Sequence, residues 1–237
     1  MNKHFLSGMK ASIPACLGVA VVGISIGLLA MQAGLSRFET IFMSAMVMAG
    51  SSQLMAIGMI TQGATLYAII LGTFFINLRH VVMSSSVMQR LKETTLLQRL
   101  VGAFALCDES FAIYSLSNDH SYYFLLGSNT ALYVSFVLST LIGTLMTGLL
   151  PKIVIDSFGI AIYAAFLGLL LPSARKSIQL VILVVMTALV NWLLQSFIPK
   201  SWSVILAMIL GAFLGVFLVD DDVVSTEPKE TKEIQGT

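Results

Sequence analysis

The chain has 237 residues, 57% of them hydrophobic and only 11% charged, with a mean hydropathy of +0.92. Soluble domains run at about 45–50% apolar and about 25% charged, so a water-soluble fold is excluded. Thirteen Lys and Arg against twelve Asp and Glu leave a net charge of +1, which supplies neither a basic field for nucleic acid nor an acidic one for cationic partners.

The charges are segregated. None falls between Lys10 and Arg37, Asp119 and Lys152, Asp156 and Arg175, Lys176 and Lys200, or Lys200 and Asp220. Each gap can hold the 17–25 or so apolar residues that span a bilayer core of about 30 Å. Lys3 and Lys10 precede an apolar run that is longer than the core of a cleavable signal, so a retained first helix is expected. The apolar runs predict spans near 13–33, 40–60, 66–88, 100–117, 122–149, 153–171, 178–197 and 202–219. All are helices, because lipid offers the backbone no hydrogen bonds and no run alternates as a barrel strand does.

The expected fold class is all-α, a polytopic inner-membrane helical bundle of seven or eight segments with at least one broken or re-entrant helix near Gly50–Gln53. Positive charge does not choose between these counts. With eight full crossings, six of the basic side chains fall on each side, whereas a re-entrant 40–60 moves Arg90, Lys92 and Arg99 to the other face. Residues 1–219 form one transmembrane transporter domain, and the polar tail 220–237, opening on Asp220-Asp221-Asp222, is too hydrophilic to fold alone. Gly18, Gly23 and Gly27, and likewise Gly211 and Gly215, are expected at close helix contacts, with Asn191 and Gln195 as polar packing residues. Cys16 and Cys107 lie in apolar runs and are expected reduced; two cysteines build no zinc site, and no cofactor is implied.

Three polar stretches interrupt the apolar runs. In Ala49-Gly50-Ser51-Ser52-Gln53, glycine permits a helix to unwind, and Ser51, Ser52 and Gln53 can bond the freed backbone or a ligand; close helix packing explains the same residues equally well. In Asn77-Leu78-Arg79-His80, Arg79 is the one charge between Glu39 and Arg90. Asn77, His80 and Ser84 share a helix face beside it, and a guanidinium there suits a carboxylate. In Cys107-Asp108-Glu109-Ser110 the adjacent carboxyls stand about 100° apart on a helix, so at most one of them pairs with Arg79. The other faces a cavity or takes a proton, and a purely structural ion pair is the alternative.

In order and spacing these three stretches, with Asp156-Ser157-Phe158-Gly159 through Leu171-Pro172, resemble the AzlC-type family of bacterial branched-chain amino acid permeases over most of residues 8–175. The resemblance implies an inner-membrane exporter of branched-chain amino acids (valine, leucine, isoleucine) with methionine or analogues as further substrates, not an enzyme, working with a small AzlD-type membrane subunit. It carries over to Gly50, Ser51, Ser52, Gln53, Asn77 and Arg79 as candidate substrate-binding residues, and to Asp108, Glu109 and His80 as the proton-coupling or ion-pair set. Two rival readings stand beside it: an intramembrane enzyme using Asp108, Glu109 and His80 as acid and base, and a purely structural subunit of a membrane complex.

Overall fold

A computed structural model describes residues 2–91, 94–151, 153, 157 and 177–218. The expected span 153–171 and the tail 220–237 therefore lie outside the described residues. The regular structure among the described residues is helical: α1 (Asn2–Gln32), α2 (Arg37–Met46), α3 (Gly50–Thr61), α4 (Leu66–Arg90), α5 (Leu96–Phe104), α6 (Asp108–Leu116), α7 (Tyr122–Met146), α8 (Ile178–Leu194) and α9 (Lys200–Leu218). The chain divides into two compact units between Ala165 and Phe166, the first holding α1–α7 and the second α8 and α9.

Two expected single spans are each two shorter helices. The run 40–60 breaks at Val47–Ala49, where Val47 (φ −134°) and Ala49 (φ −142°) are extended. Gly50 is thus the first residue of α3 and not the break itself. The run 100–117 breaks at Ala105–Cys107, a second interruption that the sequence expectation did not contain. Among the described residues, the helices long and apolar enough to cross a bilayer are Lys3–Gln32, Leu66–Arg90 and Tyr122–Met146, which lie in α1, α4 and α7. At 1.5 Å per residue, α4 and α7 are each about 37 Å long, whereas α2 and α5 rise only about 14–15 Å, half of a bilayer core.

α1 and α7 run parallel and in near backbone contact. A Cβ at Gly8 would stand 2.1 Å from the Phe124 carbonyl oxygen, and one at Gly127 2.1 Å from that of Phe5. Further along, one at Gly143 would stand 2.3 Å from Ile24 O, and one at Gly27 2.4 Å from Thr140 O. Ser12 and Ser128 hydroxyls meet at 2.7 Å, and Ser135 Oγ donates to Cys16 O at 3.0 Å. Gly23 and Gly27 thus lie where close packing was expected, while Gly18 has no neighbour within 4 Å. Where α1 begins, His4 Nδ1 and Asp119 Oδ2 are 2.7 Å apart. Partial burial works against the Asp119 carboxylate, but its bonds to His4 and Ser121 outweigh that and hold it below its ordinary value.

The directions of the remaining helices follow from what their ends touch. Val87 and Leu91, at the end of α4, pack with Tyr114 of α6 and Phe124 and Leu125 of α7, and Arg90 Nη1 donates to Ser115 O at 3.4 Å. α4 therefore ends where α1 and α7 begin, and starts at the opposite end. Since only Gln62–Thr65 separate α3 from α4, α3 also ends at that opposite end, which is where α2 begins after the turn from α1. α2 and α3 thus go in and come back. Their inner ends lie at mid-depth, where Tyr133 of α7 bonds Ala45 O at 2.8 Å and Gly50 faces Val22 and Ile26 of α1. By the same logic α5 enters from the end where α4 finishes, its Phe104 ring reaching Tyr133 (centroids 6.3 Å), and α6 returns to that end.

The turns suit this path. Gly34 (φ +89°) and Gly63 (φ +69°) close α1 and α3 in left-handed geometry, with Leu35 N bonding Ala30 O and Ala64 N bonding Met59 O. Helix starts are capped by Ser36 with Glu39, Thr95 with Gln98, Thr65 and Ser121.

Polarity is distributed as lipid requires. Leu17, Phe38, Val81, Val82, Leu96 and Leu97 are exposed, whereas Ser12, Ser25, Gln53, Ser128, Asn129 and Thr140 are buried. An apolar exterior around a core tied by small polar residues is the arrangement of membrane helices. In the second unit, α8 and α9 form an antiparallel pair: Ser203 Oγ bonds Asn191 Oδ1 at 2.6 Å, and a Cβ at Gly211 would meet Thr187 at 2.7 Å and one at Gly215 Leu183 at 3.2 Å.

This path has a direct test. With Cys16 and Cys107 changed to serine, single cysteines replacing Arg37 and Gln62 should react with an impermeant maleimide from one membrane face, and those replacing Arg99 and Leu116 from the other. Three continuous crossings, over 40–60, 66–88 and 100–117, would instead place Arg37 and Gln62 on opposite faces.

Candidate functional site

The inner ends of the two folded-back pairs meet the middle of α4. Arg79 is the fourteenth of the 25 residues of α4, about halfway along. Its Nη1 is 2.9 Å from Asp108 Oδ2, at the first turn of α6, and its Nη2 donates to Ser51 Oγ in the first turn of α3. One guanidinium thus bridges the starts of two helices, with a separate nitrogen of its planar fork on each. Asn77, half a turn earlier, donates from Nδ2 to Ser52 Oγ at 3.2 Å, and Ser52 Oγ donates onward to Ala49 O at 3.1 Å. Residues from all three polar stretches are therefore brought together.

Three buried polar atoms in this cluster have no hydrogen-bond partner: Asn77 Oδ1, Arg79 Nε and His80 Nδ1. They comprise an acceptor, a donor and an imidazole nitrogen within four residues of α4. Buried polar atoms are nearly always satisfied, so three within four residues stand out; a fourth, Asn129 Oδ1, lies on α7. Ala49, the N-cap of α3, provides no side chain to cap its first turn, so the amino end of α3 presents partial positive charge to the same region. The first turn of α6 carries Asp108 and Glu109 instead.

The remaining candidates have other surroundings. Gly50 faces α1, and a Cβ there would approach Val22 Cγ1 to 2.8 Å, a packing role. Gln53 is buried and engaged: Nε2 donates to Val47 O at 2.6 Å and Met43 O at 3.3 Å, while Oε1 accepts from Ser44 at 2.9 Å. It adds a second donor to two carbonyls that already accept Val47 N and Ala49 N, and so ties the start of α3 to the end of α2 across the break. Of the two carboxyls, Asp108 takes the pair with Arg79, and Glu109 lies against the Cys107 thiol. Ser110 Oγ accepts from Cys107 N at 3.0 Å and donates to Cys107 O at 3.1 Å, fixing the start of α6. Among the described residues no three His, Cys, Asp or Glu side chains gather as a metal site would.

Two residues of α7 belong to this assembly although neither was singled out from the sequence. Tyr133 Oη donates to Ala45 O at 2.8 Å, and Asn129 Nδ2 donates to Gly102 O at 2.9 Å. Uncharged polar residues in an apolar helix carry no signal separating them from ordinary packing contacts; only the recurrence of helix caps described below could have pointed to them.

Apolar helices around a charged and hydrogen-bonded centre define an integral membrane protein with a polar site at mid-depth. Residues 14–150 match the family model described as "AzlC protein", and the chain belongs to that family. It is 34% identical over 173 residues to an uncharacterized membrane protein of Archaeoglobus fulgidus, covering 72% of this chain and 76% of that one. It is 29% identical over 224 residues to the inner membrane protein YgaZ of Escherichia coli, covering 90% and 82%. A match at 29% over 124 residues to the branched-chain amino acid transport protein AzlC of Bacillus subtilis covers 50% of this chain and 48% of that one. No solved structure matches. The matched segment covers the described helices α2–α7 in full and so includes the whole cluster around Arg79.

Proposed function

We propose that this chain is the large subunit of an exporter of branched-chain amino acids in the bacterial inner membrane, coupled to protons and working with a small AzlD-type membrane subunit. The observation that carries the reading is the trio of orphaned atoms, Asn77 Oδ1, Arg79 Nε and His80 Nδ1, beside the Arg79–Asp108 pair. A zwitterion needs opposite charges close together. The substrate carboxylate is placed on Arg79 Nε and the uncapped start of α3, with Ser51 and Ser52 beside it, and the ammonium on Asn77 Oδ1 and Asp108. Family membership supports this reading, since one relative bears the name of a branched-chain amino acid transport protein.

Coupling follows from competition. A substrate carboxylate drawn to Arg79 competes with Asp108 for the same guanidinium. The coupling set is placed at this ion pair: Asp108, with Glu109 and His80 as the adjacent groups that can carry a proton. Neither rival reading accounts for the orphaned atoms: an intramembrane enzyme needs a nucleophile or metal arrangement, and a structural pair leaves no reason for polar atoms without partners.

Efflux of labelled amino acids from loaded vesicles, with and without the small subunit, tests this. Each buried methylene contributes about 0.8 kcal/mol, so leucine should be preferred over alanine by about fifty-fold, with valine, isoleucine and methionine close to leucine. Collapse of the proton gradient should stop uphill efflux. Equal rates for alanine and leucine, or no efflux above empty vesicles with both subunits present, would overturn the proposal.

A further inference from the structure

The helix starts of α2–α4 recur in α5–α7. Ser36 with Glu39 forms a capping box before α2, and Thr95 with Gln98 forms one before α5. Ser52 Oγ donates to Ala49 O at 3.1 Å at the start of α3, and Ser110 Oγ donates to Cys107 O at 3.1 Å at the start of α6. Thr65 caps α4 through Ala68 N, and Ser121 caps α7 through Phe124 N; both long helices have 25 residues. The two units nevertheless enter from opposite ends, as the contacts of α4 and α7 require. They are inverted copies of one three-helix unit, the plan in which transporters place substrate sites at the repeat junction.

Within this plan α4 and α7 hold different ends. α4 holds the starts of α3 and α6, through Asn77 and Arg79. α7 holds the finishes of α2 and α5, through Tyr133 on Ala45 O and Asn129 on Gly102 O. These carbonyls need an outside donor. Ala49 N, which would close the α-helical bond to Ala45 O, bonds Val47 O instead, and Leu106 N, which would reach Gly102 O, bonds Ala103 O. Asn129 is completely buried, and Tyr133 also bears the Phe104 ring.

We infer that Asn129 and Tyr133, one turn apart on α7, are positioning residues: each fixes the inner end of one half-helix, and the pair sets the separation of the two breaks that flank Arg79. Neither side chain bonds Arg79 or Asp108. The clamp concerns geometry and is independent of substrate identity; only its transport readout rests on the function proposed above.

Two thiol reporters test it. Cys107, 5% exposed at the α5–α6 break, reports one pair when Cys16 is changed to serine. Met48→Cys, with both native cysteines changed to serine, reports the other, since Met48 is 7% exposed at the α2–α3 break. Asn129→Leu should raise N-ethylmaleimide labelling at position 107 at least tenfold and leave position 48 unchanged. Tyr133→Phe, which removes one oxygen and keeps the ring, should do the reverse. Both variants should lower the maximal rate of leucine efflux about tenfold. A general loss of stability would raise labelling at both positions in both variants and overturn the inference, as would protection maintained at both. If the crosswise pattern appears while the wild-type chain with its small subunit moves no leucine, the clamp stands and the transport reading falls. If wild type transports and both variants match it, the clamp falls alone.

Discussion

Arg79→Ala should reduce transport at least tenfold while the protein still reaches the membrane. The side chain makes an ion pair with Asp108 and a hydrogen bond to Ser51, and its Nε is buried without a partner. Hydrogen bonds to charged groups contribute about 1.5–3 kcal/mol, equivalent to about ten- to a hundredfold in an equilibrium or rate. Removing the cation also leaves Asp108 without its partner; both side chains are part-exposed, 37% for Arg79 and 43% for Asp108, which limits the cost to the fold and lets the protein still assemble. Arg79→Lys keeps the charge but replaces a fork with a single point, so it can serve Asp108 or Ser51 and not both; an intermediate rate is expected. Asp108→Asn keeps a polar group at the start of α6 and removes the charge, so substrate-driven proton movement should disappear even where facilitated exchange persists. Exchanging the two charges, Arg79→Asp with Asp108→Arg, separates site from scaffold. A structural pair regains both yield and transport, whereas a binding site regains yield alone, because the guanidinium has left the orphaned atoms of α4. Efflux rate normalised to the quantity of monodisperse protein in detergent is the measurement, and near wild-type efflux in Arg79→Ala would remove the site.

The three polar stretches were legible because an ionised or multiply polar residue in an apolar run is too expensive to be incidental. That at most one of Asp108 and Glu109 could pair with Arg79 followed from helix geometry, and Asp108 is the one that does. The break in 40–60 was legible from Gly50-Ser51-Ser52, though it falls three residues earlier, at Val47–Ala49, where Ala49 N turns back onto Val47 O and the Gln53 amide bridges to Met43 O and Val47 O. The break at Ala105–Cys107 was not legible. Leu106 and Cys107 are apolar, no glycine or proline marks the place, and what ends α5 is a side chain 27 residues away, Asn129 on Gly102 O. Helix direction was likewise beyond local reading, since a folded-back pair and a single crossing have the same hydropathy; the contacts of Val87, Leu91 and Arg90 with α6 and α7 decide it. The recurrence of caps at Ser36 and Thr95, Ser52 and Ser110, and Thr65 and Ser121 is present in the sequence, but hydroxyl residues are too common in membrane helices for it to stand out without the bonds they make.

Gly127→Ala should destabilise the protein although alanine is the better helix former. In a helix interior the exchange gains up to about 1 kcal/mol of intrinsic preference, and Gly18→Ala, where nothing lies within 4 Å, should show that gain undiluted. At Gly127 the new methyl would sit 2.1 Å from the Phe5 carbonyl oxygen, against an ordinary contact of 3.4 Å or more, so α1 and α7 must separate by more than an ångström. The opposing atom is backbone and cannot rotate away. Overpacking of this kind costs about 1–3 kcal/mol, and the movement also stretches the bond from the adjacent Ser128 to Ser12. A net loss near 2 kcal/mol corresponds to a melting point lower by about 4–8 °C for a chain of this size. Gly27→Ala, facing Thr140 O at 2.4 Å, should add to it, because the two contacts lie at opposite ends of the helix pair and share no partner. The consequence reaches the site: α1 supports Gly50 through Val22, and α7 holds both half-helix ends through Asn129 and Tyr133, so prying the two apart moves both breaks away from Arg79. The double variant should therefore lose transport at temperatures well below its melting point. Thermal unfolding in detergent, read alongside efflux, checks both steps, and a melting point for Gly127→Ala at or above that of Gly18→Ala would mean that the backbone contact between α1 and α7 does not hold this fold together.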